Sequence, residues 1–203
     1  MEKPQVTKAE TEEIIRIANK VLLDKIEGDF VEFGCYKGDT SVLLHEAIVD
    51  YKKAHRRRPS DFPILWLYDS FAGLPPKSSE DASVAGDQFK RGELFVSKRE
   101  VIERLSKLGF QRDFVIKAFF EELDASSDLP AMISFAFLDG DFYNSIKTSL
   151  RLVTPKLNKA GVIVVHDYNN PELPGATHAV DEFLRAHPEF KLMQKHTLAI
   201  LSR

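Results

Sequence analysis

Cysteine is nearly absent from this chain, since Cys35 is the single one among 203 residues. A lone cysteine excludes a disulfide within the chain and is typical of proteins from a reducing compartment, so we predict a cytoplasmic protein. Cys35 lies in a predicted turn after a strand. We interpret it as a small packed residue rather than as a nucleophile.

Long apolar runs and an excess of basic residues are also missing. No stretch approaches the ~20 apolar residues of a transmembrane helix, and the N-terminus lacks the apolar segment of a signal peptide. The chain has 28 Lys and Arg against 31 Asp and Glu, a net charge of -3. We therefore expect neither a nucleic acid nor a membrane as a partner.

The composition that remains is that of an ordinary globular domain, with 43% apolar and 29% charged residues. We predict a single domain over residues 1–203. Apolar runs typical of buried strands alternate with segments of helical spacing, and a hairpin ends the chain. The predicted strands are residues 30–34, 63–68, 114–119, 133–138, 162–165, 190–193 and 197–201. The predicted helices are residues 7–26, 40–51, 97–108, 143–157 and 177–186.

This order of elements predicts an α/β fold with a doubly wound, mostly parallel seven-stranded sheet and an antiparallel last strand. Residues 72–97 do not fit the alternation, because they show little periodicity and hold Gly73, Pro75 and Pro76 near their start. Irregular segments of this length are typical of functional lids or of partly disordered chain. We predict a lid.

Polar side chains follow two of the predicted strands, at the point where each strand ends. Asp139 follows the fourth strand, and His166 and Asp167 follow the fifth. Because ligands of open α/β sheets bind beyond the carboxyl ends of the strands, these groups are expected to form a metal site or an acid/base centre. In the alternative interpretation Asp139 and Asp167 cap the following helices, and His166 is a packed histidine.

The first two strands also end in candidate ligand-binding residues. Gly34 and Gly38 form a glycine-x-x-x-glycine turn after Glu32, which would let a ligand approach the backbone or would simply be a tight turn. Tyr36 stands where a dinucleotide-binding fingerprint has a glycine. Asp69 ends the second strand and could accept hydrogen bonds from ribose hydroxyls, or it could cap the following turn.

Five strings in this order resemble the macrocin O-methyltransferase family: VEFGCYKGDTS, LYDSFAGLPP, FLDGDFYNS, GVIVVHDY and AVDEF. The similarity runs from about Gly28 to Phe183. It implies a Rossmann-like class I fold and methyl transfer from S-adenosylmethionine to sugar hydroxyls of natural products. The residues that it implies around the cofactor are Glu32, Gly34 and Gly38 near the methionine part, Asp69 on the ribose, and Ser70 and Phe71 beside the adenosine.

The resemblance also implies a magnesium ion, held by Asp139 and by the acidic pair before Tyr168. Here the chain departs from the family pattern, because His166 replaces the first aspartate of that pair. We predict Asp139, His166 and Asp167 as the metal ligands. An imidazole favours Mn²⁺ or another softer divalent ion more than a site of carboxylates alone would. Asp139 or His166 is predicted to be the catalytic base.

The predicted function is metal-assisted O-methylation of a sugar or of another small diol-containing natural product. The alternatives are a catechol-type or N-methyltransferase, and a protein that binds S-adenosylmethionine without catalysis. A small-molecule acceptor is the expected partner, and a homo-oligomer is possible.

Overall fold

A seven-stranded sheet forms the centre of the molecule. The computed structural model describes residues 5–55, 58, 61–86 and 89–203. The strands are β1 Asp29–Phe33, β2 Leu65–Asp69, β3 Val115–Lys117, β4 Ile133–Leu138, β5 Leu157–Val165, β6 Lys191–Lys195 and β7 Leu198–Ser202. Their order in the sheet is β3-β2-β1-β4-β5-β7-β6. The helices are α1 Lys8–Leu23, α2 Asp39–Ala54, α3 Lys98–Ser106, α4 Tyr143–Val153 and α5 Pro174–Ala186.

Helices cover both faces of this sheet because successive side chains of each strand point to opposite sides. Phe30 of β1 packs with the apolar faces of α1, α2 and α3, whereas Val31, the next residue, packs with α4 and α5. Strands β1 to β5 are parallel, and β7 is antiparallel to both of its neighbours. The prediction of a doubly wound seven-stranded sheet with an antiparallel last strand is therefore confirmed.

The carboxyl ends of three central strands lie in one row. Phe33 is in register with Leu138, and Leu138 with Val165. The backbone pairing continues one residue further, since the amides of Asp139 and His166 donate to the carbonyls of Phe33 and Leu138 at 2.8 and 3.0 Å. The residues that follow β1, β4 and β5 are thus brought side by side.

Two predicted boundaries around β5 are wrong. The helix α4 ends at Val153 rather than at residue 157, because Pro155 has no amide hydrogen with which to continue the helix; residues Thr154–Lys156 form a 3₁₀ turn. Residues 158–161, which lie between the predicted helix and the predicted fifth strand, belong to β5, where the register against β4 shifts between Leu157 and Val162. These four residues form the irregular part of the strand.

Several other elements also differ from the prediction at their ends. The predicted third strand is shortened to Val115–Lys117, with 3₁₀ turns at Arg112–Phe114 and Phe120–Glu122. The helix α5 begins at Pro174 rather than at residue 177, a position in the first turn where proline is well tolerated. Thr7 is the N-cap of α1 through a capping box with Glu10, and this helix ends at Leu23 rather than at residue 26.

Within the described ranges, every helix is too short or too polar to span a bilayer.

Candidate active site

Asp139, His166 and Asp167 meet at the carboxyl edge of the sheet, as predicted. The Nδ1 atom of His166 lies 2.8 Å from Oδ1 of Asp139 and 3.1 Å from Oδ2 of Asp167. One potential ligand atom from each of the three residues lies within 4.8 Å of the others. His166 and Asp167 are each 5% exposed, so most of this cluster is shielded from water.

The charges of this cluster are strongly coupled. Burial alone would lower the pKa of the His166 imidazole, but the carboxylates of Asp139 and Asp167 raise it well above its usual value. Burial raises the pKa of the Asp139 carboxyl, and His166 opposes this shift. The two carboxylates therefore favour the protonated imidazole, in a position that attracts positive charge.

The donor set of the cluster fits a divalent cation. Two carboxylate oxygens and one imidazole nitrogen converge, and this mixture suits Mg²⁺, Mn²⁺ or other divalent ions. Metal ligands must be deprotonated, so a cation would bind here in exchange for the imidazole proton.

The two aspartates of the cluster do not act as helix caps. The N-cap residues of α4 and α5 are Phe142 and Leu173, and the first amide of α4, that of Tyr143, donates instead to Asp81 Oδ1 at 2.7 Å. Within the described ranges, the capping interpretation of Asp139 and Asp167 is therefore wrong.

Four loops at this edge contain a non-glycine residue with left-handed backbone, a conformation that is uncommon outside glycine. They follow β1, β2, β4 and β5, and the residues are Tyr36, Phe71, Asp141 and Asp167, with φ of 43°, 48°, 59° and 60°. Such strained residues concentrate at binding and catalytic sites. The same edge holds the candidate residues.

The backbone that follows β4 leaves no room for a side chain at Gly34. Its φ is +88°, and a Cβ atom on it would lie 1.9 Å from the carbonyl oxygen of Asp139. At Gly34 the close approach is made by the backbone after β4, and the approach of a ligand to this turn stays a prediction. Gly38 has a φ of 80° and caps α2 without a side-chain hydrogen bond.

Asp69 joins the loops after β1 and β2. Its Oδ2 accepts from the Tyr36 amide at 2.9 Å, and its Oδ1 accepts from the Phe71 amide at 2.8 Å. One oxygen therefore does cap the following turn, while the other holds the glycine turn. Burial raises the pKa of this carboxyl.

A cleft opens beside Asp69, and its lining includes Ser70, Asp139 and Asp141. A second cleft also borders the glycine turn and is lined by Glu32, Gly34, Cys35, Tyr36, Lys37, Asp39 and Thr40, together with residues that precede α1 and lie in its first half. Phe71 packs into the core rather than into either lining.

Glu32 is a buried carboxyl, 1% exposed, whose Oε2 accepts a hydrogen bond of 2.6 Å from the Ser41 hydroxyl. Burial and the nearby charges of Asp139 and Asp69 raise its pKa to about 8, although Ser41 acts in the opposite direction. Burial also raises the pKa of the Cys35 thiol, which agrees with a packed cysteine.

The described residues of the predicted lid, 72–86 and 89–97, cover the first cleft in part. Gly73, Leu74, Pro75 and Leu94 line it, and the Leu74 amide donates to the Glu93 carbonyl at 2.8 Å. Asp81 fixes the segment to α4. Closure of this lid stays a prediction.

Two acidic residues near the cluster, Glu10 and Asp141, are not among the predicted site residues. Glu10 of α1 lies 3.7 Å from Nε2 of His166, on the ring edge opposite to the aspartates. Its local pattern shows only a capping box with Thr7, so no sequence signal pointed to the site. Asp141 lines the first cleft, and burial together with Asp139 and Asp167 raises its pKa well above the usual value.

The sequence of residues 5–195 matches the family described as Macrocin-O-methyltransferase (TylF). The chain belongs to this family. The membership predicted from the five strings is thereby confirmed. The matched range contains every candidate site residue named above.

Two characterised proteins are similar in sequence. One is the 8-demethyl-8-(2,3-dimethoxy-alpha-L-rhamnosyl)-tetracenomycin-C 4'-O-methyltransferase of Streptomyces olivaceus, 27% identical over 154 residues, which are 73% of this chain and 56% of that protein. The other is the demethyldecarbamoylnovobiocin O-methyltransferase of Streptomyces niveus, 26% identical over 179 residues, which are 85% of this chain and 64% of that protein. The chain thus spans less than two thirds of the length of either relative.

The O-methyltransferase NovP is similar in structure, with a TM-score of 0.76 at 22% identity over 95% of this chain and 78% of that one. This similarity concerns the fold, which is the Rossmann-like fold of class I methyltransferases, as predicted.

Proposed function

We propose that this member of the family transfers the methyl group of S-adenosylmethionine to a hydroxyl of a sugar or of another small diol-containing natural product. Membership in the family supports methyl transfer to oxygen. The observation that carries the finer proposal is the convergence of Asp139, His166 and Asp167 beside the cleft that Asp69 lines. This arrangement suits a metal-assisted reaction on two adjacent oxygens.

The cofactor is proposed to extend across the glycine turn, from one cleft to the other. Asp69, and Ser70 beside it, would bind the ribose and adenosine end. The uncapped N-terminus of α2 at Gly38 offers amide hydrogens to a carboxylate, and Glu32 offers a carboxyl to an ammonium group. S-adenosylmethionine carries both of these groups and supplies an activated methyl group when bound.

Asp139, His166 and Asp167 are the residues that would hold the divalent ion, with Mg²⁺ or Mn²⁺ as the first candidates. Such an ion supplies orientation of the acceptor and a lower pKa of its hydroxyl. Asp139 is the member of the cluster that lines the cleft, so we assign to it the removal of the hydroxyl proton, with His166 as the alternative base. The largest contribution of the chain is positioning, and residues 72–97 would exclude water by closing.

We infer a small-molecule acceptor rather than a nucleic acid, because the net charge of -3 offers no basic surplus. A cytoplasmic location is proposed on the single, buried Cys35. A homo-oligomer remains compatible with this function.

The function is tested by incubating the protein with labelled S-adenosylmethionine and a panel of glycosides, catechols and amines, with Mg²⁺, with Mn²⁺ and with a chelator. The expected result is methyl transfer to a vicinal diol that the chelator abolishes. Transfer to an amine would favour the N-methyltransferase. Cofactor binding without transfer to any acceptor would favour the non-catalytic binding protein.

Replacement of Asp69 by Ala is expected to weaken binding of S-adenosylhomocysteine by about 10–100-fold, the effect of losing charge-assisted hydrogen bonds. Isothermal titration calorimetry measures this change. Analogues that lack the ribose hydroxyls should lose less affinity than the complete ligand, and that smaller loss measures the disturbance of the two loops whose amides Asp69 holds. An unchanged dissociation constant for the complete ligand would contradict the role of Asp69.

Binding of S-adenosylmethionine is expected to release a proton from Glu32. In the protein without cofactor the Glu32 carboxyl has a pKa of about 8, so it is mostly protonated at pH 7. An ammonium group next to it favours its ionised form. Affinity should therefore rise with pH until about pH 8 and level off above. Calorimetry at pH 7 in buffers of different ionisation enthalpy detects the proton, and Glu32→Gln should abolish the buffer dependence. Equal heats in all buffers for the unaltered protein would refute this linkage.

A further inference from the structure

The imidazole of His166 is enclosed by carboxylates on both edges. Its Nδ1 atom contacts Asp139 and Asp167, as described, while its Nε2 atom lies 3.7 Å from Oε2 of Glu10. Glu10 belongs to α1, which is remote in sequence from β4 and β5. The N-terminal helix therefore supplies a wall of the candidate site.

Glu10 is held in this place from two sides. Its Oε2 accepts from the Thr7 amide and hydroxyl at 2.9 and 2.6 Å. Its Oε1 accepts from the hydroxyl of Thr197 and, at 3.3 Å, from the Thr197 amide. Thr197 lies between β6 and β7, and its carbonyl accepts from the Tyr168 amide at 2.9 Å. The carboxylate thus links α1, the terminal hairpin and the loop after β5.

A second capping box in the same chain shows that capping does not require this arrangement. Ser97 and Glu100 at the start of α3 form the same pair of bonds, with the Ser97 amide and hydroxyl 3.0 and 2.6 Å from Glu100 Oε2. Glu100 is exposed, whereas Glu10 is 3% exposed. A buried carboxylate is costly unless it is paired and hydrogen-bonded, and the groups that partner Glu10 beyond its own helix are His166 and Thr197.

We propose that Glu10 is a positioning residue, which fixes the His166 ring so that Nδ1, and not Nε2, faces Asp139 and Asp167. The proposal deepens the proposed function and rests on it. Histidines that bind metals usually direct their second nitrogen to a carboxylate or carbonyl, which sets ring orientation and tautomer. Here Glu10 takes that part through its charge, because 3.7 Å is longer than a hydrogen bond, and it does so at the position where His166 replaces the aspartate of the family pattern.

The proposal is tested with Glu10→Gln, which keeps the shape and the acceptor oxygen for Thr197 but removes the charge that faces Nε2. Glu13→Gln is the matched control. Glu13 is also a buried carboxylate of α1, and it also reaches the hairpin, since it lies 3.3 Å from the Lys195 ammonium group. Its other ion pair is with Arg16 of the same helix, whereas that of Glu10 is with His166.

Two measurements on protein without acceptor are used. The ¹⁵N chemical shifts of the His166 ring, identified by comparison with His166→Asn, report the state of both nitrogens in metal-free protein. Electron paramagnetic resonance measures the binding of Mn²⁺ in the absence of cofactor and acceptor. We expect Glu10→Gln to change the His166 ring signals and to weaken Mn²⁺ binding by about 10–100-fold, and Glu13→Gln to leave both unchanged.

Unaltered ring signals in a folded Glu10→Gln protein would overturn the proposal, as would equal changes in both variants, which would indicate that docking of α1 alone matters. If Glu10→Gln does not fold, Thr197→Val replaces it, since loss of the Thr197 hydroxyl loosens Glu10 and should shift the same signals. If the unaltered protein binds no Mn²⁺, the metal part of the proposed function fails, while the ring signals still decide the role of Glu10.

Discussion

Replacement of Asp139 by Asn is expected to reduce methyl transfer by roughly 10²–10⁴-fold, the range attributed to a positioned acid or base. The substitution preserves the shape of the side chain but removes the charge that faces His166 and the proposed cation. Asp167→Asn should act in the same direction. Turnover measured with the acceptor found in the screen, at saturating cofactor, gives the size of the loss.

Two controls make this result interpretable. The dissociation constant of S-adenosylhomocysteine should stay within a few-fold in both variants, because the cofactor is assigned to other residues. Asp50→Asn removes an equally charged but exposed carboxylate of α2, and it should leave turnover unchanged. If both Asp139→Asn and Asp167→Asn retained full activity, neither metal assistance nor base catalysis by this cluster could be maintained.

The second large effect is expected for Gly34→Ala, which should lower the free energy of unfolding by roughly 2–5 kcal/mol. Two costs add up at this position. The left-handed backbone is unfavourable for alanine, and the new methyl group would overlap the Asp139 carbonyl, which lies 1.9 Å from the Cβ position. Urea denaturation measures the loss of stability. The displaced backbone should also impair methyl transfer in the folded fraction.

Gly109→Ala separates these two costs. Gly109 has nearly the same backbone, with a φ of +81°, but no atom lies within 4 Å of its Cβ position. It should therefore show the conformational cost alone, about 1–2 kcal/mol. Equal destabilisation of the two variants would mean that the approach of the β1 and β4 loops is unimportant for stability.

The sequence allowed the sheet and most of the candidate site to be predicted, because these depend on local patterns. Buried parallel strands are visible as apolar runs, and their carboxyl ends necessarily share one edge. Asp139, His166 and Asp167 follow directly from this rule. The start of α1 depends on a single capping box at Thr7, and the shift of register within β5 depends on pairing with β4, which the local sequence of 158–161 does not show.

Glu10 and Asp81 could not be predicted, for a different reason. Each satisfies a local rule, since Glu10 closes the capping box of α1 and Asp81 closes that of the 3₁₀ turn Ser79–Asp81. The local role accounts for the residue type, so nothing in the pattern indicates the second contact. Glu10 reaches His166 and Asp81 reaches the first amide of α4 only because the tertiary fold brings these segments together.

The bonds from Glu10 and Glu13 to the terminal hairpin affect when the candidate site can form during synthesis of the chain. A ribosome would release Asp139, His166 and Asp167 well before Thr197 and Lys195, so a nascent chain that already contains all three cluster residues still lacks the two side chains that fasten the first helix beside them. The candidate active site would therefore acquire this wall only after the hairpin of β6 and β7 has been synthesised.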